Sequence, residues 1–261
     1  MRPIIAIAGT TVGEAIRRKV LLIILLIGTL FLVVAPGLGV LSARAETTIL
    51  KGMMLGIIQL TSAVIAIVLT VYMIPNEIER RTIYTILSKP VQRWQFLIGK
   101  YFGAVAALAM MMALMSAIMV FVFWYQQGNL AEATSLVRAP VMYFVQMSLL
   151  AAVAIFFSTF VTPLVNFFLS GGMYLLGSLF NPFFLSLEEN KGAPAIAKMS
   201  AKIINLVIPN FANYNIQNPL INTGQDIGNE TQYYLKAFGY GLMYIGVLLV
   251  GGMLIFDRRE V

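Results

Sequence analysis

The chain has 261 residues, 59% hydrophobic and only 11% charged, against about a quarter charged in ordinary soluble domains; with a mean hydropathy of +0.86 it reads as one integral membrane domain. It contains no cysteine and no histidine, which excludes thiolate and imidazole chemistry, most zinc, haem and iron–sulfur ligation, and the commonest general base. The formal charge of +7 points to no nucleic-acid partner, because the basic residues gather at the ends of apolar runs, where charges are held at a membrane face.

The opening segment, 3–19, carries Ile4, Ile5, Ala8, Val12, Ala15 and Ile16 at helical spacing, with Thr10, Gly13, Glu14, Arg17 and Arg18 on the other side. This predicts a short amphipathic helix in the headgroup plane; the alternative is a plain extension of the span that follows. A spanning helix needs about 20 apolar residues. Six runs qualify, near 20–41, 52–74, 97–124, 139–160, 164–185 and 236–256. The first ends near Ala43-Arg44-Ala45, which looks like a signal-peptidase site, but the run is long for a signal peptide and its basic cluster starts late, so it reads as a retained span. Gly9/Gly13, Gly52/Gly56 and Gly99/Gly103 are four apart, a spacing that lets helices approach closely and also occurs by chance among 21 glycines. The Met-rich stretch Ala104 to Met119 reads as gap-filling helix packing. The outer region 187–235 is too long for a bare loop and predicts short helices, with Met199–Ile208 the best candidate.

Placing the N-terminus in the cytoplasm puts 11 of the 18 lysines and arginines inside and 7 outside. The positive-inside rule therefore favours cytoplasmic N- and C-termini. In that arrangement the polar stretch 75–95, between the second and third spans, is cytosolic. Asn76 and Glu79 have the spacing of a capping box, Glu77 and Arg81 stand one turn apart, and Pro90 ends the helix near Ser88. Trp94 sits where an interfacial aromatic belongs. The residues alone allow either a surface helix anchored by charge or a docking element for a soluble partner.

This stretch resembles the cytosolic coupling helix of type-2 ABC transporter permeases, in particular the branch with the permease of the nitrous-oxide-reductase maturation transporter. The resemblance rests on Glu77 or Glu79, Arg81-Thr82, Leu87, Pro90, Arg93, Phe96 and Gly99-Lys100. The six-span plan, the leading interfacial helix, the basic tail Arg258-Arg259 and Ile208-Pro209-Asn210-Phe211 extend it over the chain. It implies an all-α polytopic permease of the cell (inner, cytoplasmic) membrane that is not itself an enzyme, the ATPase activity lying on a separate subunit. It also implies docking to ABC ATPase subunits through Glu77, Glu79, Arg80, Arg81, Thr82, Ile83, Leu87, Pro90 and Arg93, with Thr162, Pro163 and Leu164 as a second docking turn. A second permease subunit, identical or paralogous, completes the pore, in contact with membrane lipid. The implied direction is export, and short re-entrant or surface helices are implied in the outer region. No cofactor is expected on this chain, with ATP and Mg on the partner ATPase.

Two features of the sequence agree. No Gly-Lys pair is followed by Ser or Thr, so no phosphate-binding loop of the Walker type is present. No Asp or Glu falls within the six apolar runs, which disfavours an ion-coupled secondary transporter or channel-like protein, and leaves poor material for an intramembrane enzyme. Gln59 and Asn166 stand out as amides within the spans, suited to helix–helix hydrogen bonding. The uniformly apolar spans favour an amphipathic or lipidic cargo.

Overall fold

Backbone N–H and C=O groups in hydrocarbon must find partners within the protein, so a spanning chain closes them into helices. The computed structural model describes residues 2–39, 46–79, 92–189, 192, 194–215 and 230–258. Among these are α1 (Arg2–Arg17), α2 (Lys19–Gly39), α3 (Glu46–Val71), α4 (Met73–Glu79), α5 (Arg93–Gln127), α6 (Leu130–Ser135), α7 (Arg138–Ser158) and α8 (Pro163–Leu175). A π-helical turn, Leu176–Phe180, then leads into α9 (Asn181–Glu189), followed by α10 (Ala195–Val207), a 3-10 turn at Ala212–Tyr214, and α11 (Glu230–Arg258). No strand occurs among the described residues. Six helical stretches are long and apolar enough to cross a membrane: Lys19–Gly37, Thr47–Glu77, Arg93–Gln127, Leu130–Ser158, Pro163–Phe180 and Glu230–Asp257. The protein is therefore an all-α polytopic membrane protein.

The spans are unequal. Those formed by α6–α7 and by α3–α4 are largely buried, whereas the other four expose most of their surface. α7 is the central post: α3, α5, α8 and α11 all pack against it. Its small residues, Ala151, Ala152 and Ala154, let neighbours come close. The methionines Met111, Met112, Met115 and Met119 of α5 are buried in the same core, as the gap-filling reading requires. α5 stops at Gly128, whose left-handed φ of 71° turns the chain while its N–H bonds to the Trp124 carbonyl at 2.8 Å.

α1 packs on α5, and its buried side differs from the expected apolar face. Thr11 and Ala15 are buried, while Ile5 and Ile16 are exposed. The partner helix explains the rotation. A Cβ on Gly99 would lie 2.8 Å from Ile7 Cβ, and one on Gly103 would lie 2.5 Å from Thr11 Cβ and 2.8 Å from the Ala8 carbonyl oxygen. The two glycines form a groove that takes the ridge Ile7–Ala8–Thr11. Thr11 fits because its hydroxyl donates to the Ile7 carbonyl at 2.8 Å and leaves only its methyl to pack. Of the three glycine pairs, Gly99/Gly103 makes this close approach; Gly9, Gly13 and Gly56 have open space where a Cβ would stand.

The fifth span is helical throughout the 164–185 that the sequence suggested, but it widens into a π turn over Leu176–Phe180. The cause is the segment that follows α10. Phe211 and Tyr214 are fully buried, so the stretch around 208–215 turns back into the bundle. Its backbone groups are satisfied one by one. Phe211 N–H bonds to the Gly177 carbonyl at 3.1 Å, Gln146 Nε2 donates to the Phe211 carbonyl at 2.8 Å, and Asn210 N–H donates to the Tyr240 hydroxyl at 3.0 Å. The π turn frees the Gly177 carbonyl for this use. Only glycine fits at 177, since a Cβ would meet Phe211 Cδ2 at 2.7 Å and the Pro209 carbonyl oxygen closer still.

Two glycine replacements test this packing. Gly177→Ala is expected to lower stability in detergent by about 1–3 kcal/mol, while Gly171→Ala, whose Cβ would meet nothing within 4 Å, leaves the thermal midpoint close to wild type. Gly103→Val is expected to dislodge α1, making residues 2–17 protease-sensitive; Gly56→Val, at an open position, serves as the control and leaves the cleavage pattern unchanged.

Candidate coupling site

One end of the bundle gathers α1, the lower end of α3 with α4, the start of α5 and the end of α11. α4 is nearly a continuation of α3, separated by a single turn residue, Tyr72. Asn76 was expected to cap a new helix. Instead its N–H bonds to the Tyr72 carbonyl at 3.2 Å, so it lies inside a helix that begins at Met73. Pro75 falls in the first turn of that helix, where its missing N–H costs nothing. The helical axis of the span thus carries on to Glu79.

The electrostatic centre of this end is Lys100, buried despite its charge. Its Nζ bonds to Glu77 Oε1 of α4 at 2.7 Å and lies 3.6 Å from Glu14 Oε2 of α1. It also sits 5.7 Å from the centre of the Phe96 ring, a cation–π distance. Glu77 is mostly buried and Glu14 about half exposed. An ammonium removed from water must be neutralised where it stands, and breaking such a pair from one side costs roughly 3–5 kcal/mol. One side chain therefore ties α4, α1 and α5 together.

Arg93 adds the fourth element. Its Nη1 donates to the carbonyls of Phe256 at 3.2 Å and Asp257 at 3.1 Å, the orphan acceptors at the end of α11, where a cation also suits the helix dipole. Phe96 and Phe256 stack beside it with ring centres 6.3 Å apart. The start of α5 is closed locally, as Gln92 N–H donates to Gln95 Oε1 at 3.2 Å and Trp94 Nε1 donates to Gln92 Oε1. Trp94 is exposed, as an interfacial aromatic would be.

The turn at Thr162, Pro163 and Leu164 lies at the same end, since Thr159, Leu97 and Gly252 meet there. Thr162 is extended (ψ 155°) with Pro163 as the first residue of α8. The Thr162 carbonyl accepts the Asn166 N–H at 2.9 Å, and Asn166 Nδ2 donates to the Ala154 carbonyl of α7 at 2.9 Å. Leu164 is exposed. The turn is thus anchored to the central post while presenting an apolar side chain outward.

Of the residues predicted to dock a partner, Glu77 and Arg93 fall at the base of this cluster. Glu79 closes α4. Arg80, Arg81, Thr82, Ile83, Leu87 and Pro90 lie outside the described residues. The sequence reading singled out neither Glu14 as a partner of Lys100 nor Gln146. Gln59 Nε2 donates to Gln146 Oε1 at 3.2 Å, so the amide pairing expected for Gln59 runs to a residue of α7 that hydropathy alone hides. At that opposite end Tyr143 donates to Asn215 Oδ1 at 2.7 Å and Tyr214 to the Ala237 carbonyl at 3.0 Å. No group of three or more metal-ligating side chains occurs among the described residues.

No curated protein matches the chain at a significant level. The family model for ABC-2 family transporter proteins matches residues 5–261, which covers nearly all of α1, all six apolar helices and the cluster around Lys100. The chain belongs to the ABC-2 transporter family and is a multi-pass membrane subunit of an ABC transporter.

Proposed function

We propose that this subunit is an exporter permease driven by a separate ATPase, which docks on the segment 75–95. The observation that carries this reading is the buried contact of Lys100 with Glu77 and Glu14. The segment begins as α4, a near-continuation of α3 past the turn residue Tyr72, and its base is held by charge to α1 and α5. A push delivered to the segment therefore reaches three helices at once. ATP and Mg bind the partner, whose closure moves the segment as a lever, and the turn at Thr162, Pro163 and Leu164 makes a second, smaller contact.

In this reading both termini and the Lys100 cluster face the cytoplasm, the membrane is the inner (cytoplasmic) membrane, and two permease subunits, identical or paralogous, line the path. The similarity of the 75–100 segment to the permeases of nitrous-oxide-reductase maturation supports placing the protein near that branch. An ion-driven transporter or channel would work without the ATPase, so ATP dependence separates the two readings.

Variants of two kinds divide docking from transmission. Arg81→Glu or Ile83→Pro is expected to weaken co-purification of the ATPase at least about ten-fold, as loss of an interface anchor does, with membrane insertion unchanged. Lys100→Met is expected to leave co-purification intact but to abolish ATP-driven transport, and Lys100→Arg to restore part of it. Full transport by the Lys100→Met variant, or full association of the Arg81→Glu and Ile83→Pro variants, overturns the respective half of the mechanism.

A further inference from the structure

α11 is a single uninterrupted helix of 29 residues, Glu230–Arg258, ~43 Å long at 1.5 Å per residue. Hydrogen bonds grip it near both ends. At one end Arg93, within the segment 75–95, donates to the Phe256 and Asp257 carbonyls, and Phe96 stacks on Phe256.

At the other end the stretch 207–215 runs antiparallel to α11 and is bonded to it step by step. The Tyr244 hydroxyl donates to the Val207 carbonyl at 3.3 Å. The Tyr240 hydroxyl accepts the Asn210 N–H at 3.0 Å. Tyr214 donates to the Ala237 carbonyl at 3.0 Å, and Tyr233 donates to the Asn213 carbonyl at 3.1 Å. Three of these four bonds take the stretch by its backbone. The Tyr240 and Tyr244 rings brace each other, with centres 5.4 Å apart.

Against α7 the same helix lays small residues, Gly241 beside Val145 and Gly251 beside Phe156. Apolar contacts of this kind permit packed helices to slide, whereas directional hydrogen bonds pass an axial displacement on. A stiff helix gripped at both ends by such bonds carries a displacement from one joint to the other. We infer that α11 is a push rod: Arg93 fastens it to the docking segment, and the tyrosines deliver its movement to the stretch 207–215, loosening the bonds that tie Phe211 to Gln146 and Gly177. The inference rests on the ATP-driven reading above and adds where the work arrives. The Lys100 cluster reaches α1 and α5; Arg93 reaches α11, and with it the opposite end of the bundle.

Amide hydrogen exchange in the full chain with its ATPase reads both joints at once. Trapping the nucleotide-bound state with ATP, Mg and vanadate is expected to speed exchange across 207–215 at least about five-fold, the lower bound of a typical coupling between sites, and to alter exchange at 252–257. Arg93→Met removes the response at 207–215, and Arg93→Lys restores part of it. Tyr240→Phe/Tyr244→Phe keeps the response at 252–257 and loses it at 207–215. A wild-type response at 207–215 in the Arg93→Met or the double tyrosine variant overturns the inference and leaves the ATP-driven reading in place. So does a wild-type chain that responds at 252–257 and not at 207–215. Loss of ATPase co-purification in Arg93→Met also overturns it, by making Arg93 a docking anchor instead. A chain that binds no ATPase, or shows no nucleotide response anywhere, removes the ATP-driven reading and the inference with it.

Discussion

An ammonium buried among apolar helices is stable only while a carboxylate stays within reach, and Lys100 imposes that condition on one whole end of the bundle. Its Nζ is 2.7 Å from Glu77 and 3.6 Å from Glu14. If α4 moves away from α5, the charge is left unpaired in a medium of low dielectric. α4 cannot therefore shift alone. Hydrophobic residues of similar volume would hold α4 as firmly as this ion pair, or more so. What they would not supply is direction: a short ion pair couples position to charge, and a carboxylate on each of two helices lets one lysine register both.

The opposite end solves a different problem with neutral groups. A non-helical stretch at membrane depth is tolerated only where protein satisfies its backbone. Around Phe211 that role falls to Gln146, Tyr240 and the carbonyl freed at Gly177. Each donor or acceptor comes from a different span, so the segment joins α7, α8 and α11 and leaves little freedom among them. The Gln59–Gln146 bond extends the chain of amides to α3, which connects this end to the helix that becomes α4 at the other.

Much of the architecture was legible in the sequence, because the apolar runs are long and the hydrocarbon thickness fixes how many residues cross. A helix at the start of the chain and a short helix near 199–208 were also visible. What was hidden depended on partners distant in sequence. The face that α1 buries is set by Gly99 and Gly103, not by its own most hydrophobic residues, so Thr11 went inside and Ile5 stayed out. Asn76 has the right chemistry for a cap, but helical continuity from α3 gave its N–H an acceptor first. Lys100 was noticed as half of a Gly-Lys pair, yet neither Glu14 nor Glu77 is related to it by any helical period. The π turn in the fifth span likewise needs Pro209 and Phe211, some thirty residues on, to explain why position 177 is glycine.

Both ends are fastened to α7, and this decides which helices are free to move. Tyr143 and Gln146 hold the stretch around 208–215, the Ser148 carbonyl accepts from Tyr101 of α5 at 3.3 Å, and the Ala154 carbonyl holds Asn166 below. A close-packed interior deforms little and shifts instead as rigid pieces. α2, among the least buried spans, takes part in neither of these hydrogen-bond networks among the described residues. α2 follows α1 after a single non-helical residue, Arg18, and α1 is bound to α5 through the glycine groove and drawn to Lys100 through Glu14. In the proposed mechanism the route from the polar stretch to α2 therefore runs through α1, around the central post rather than through it.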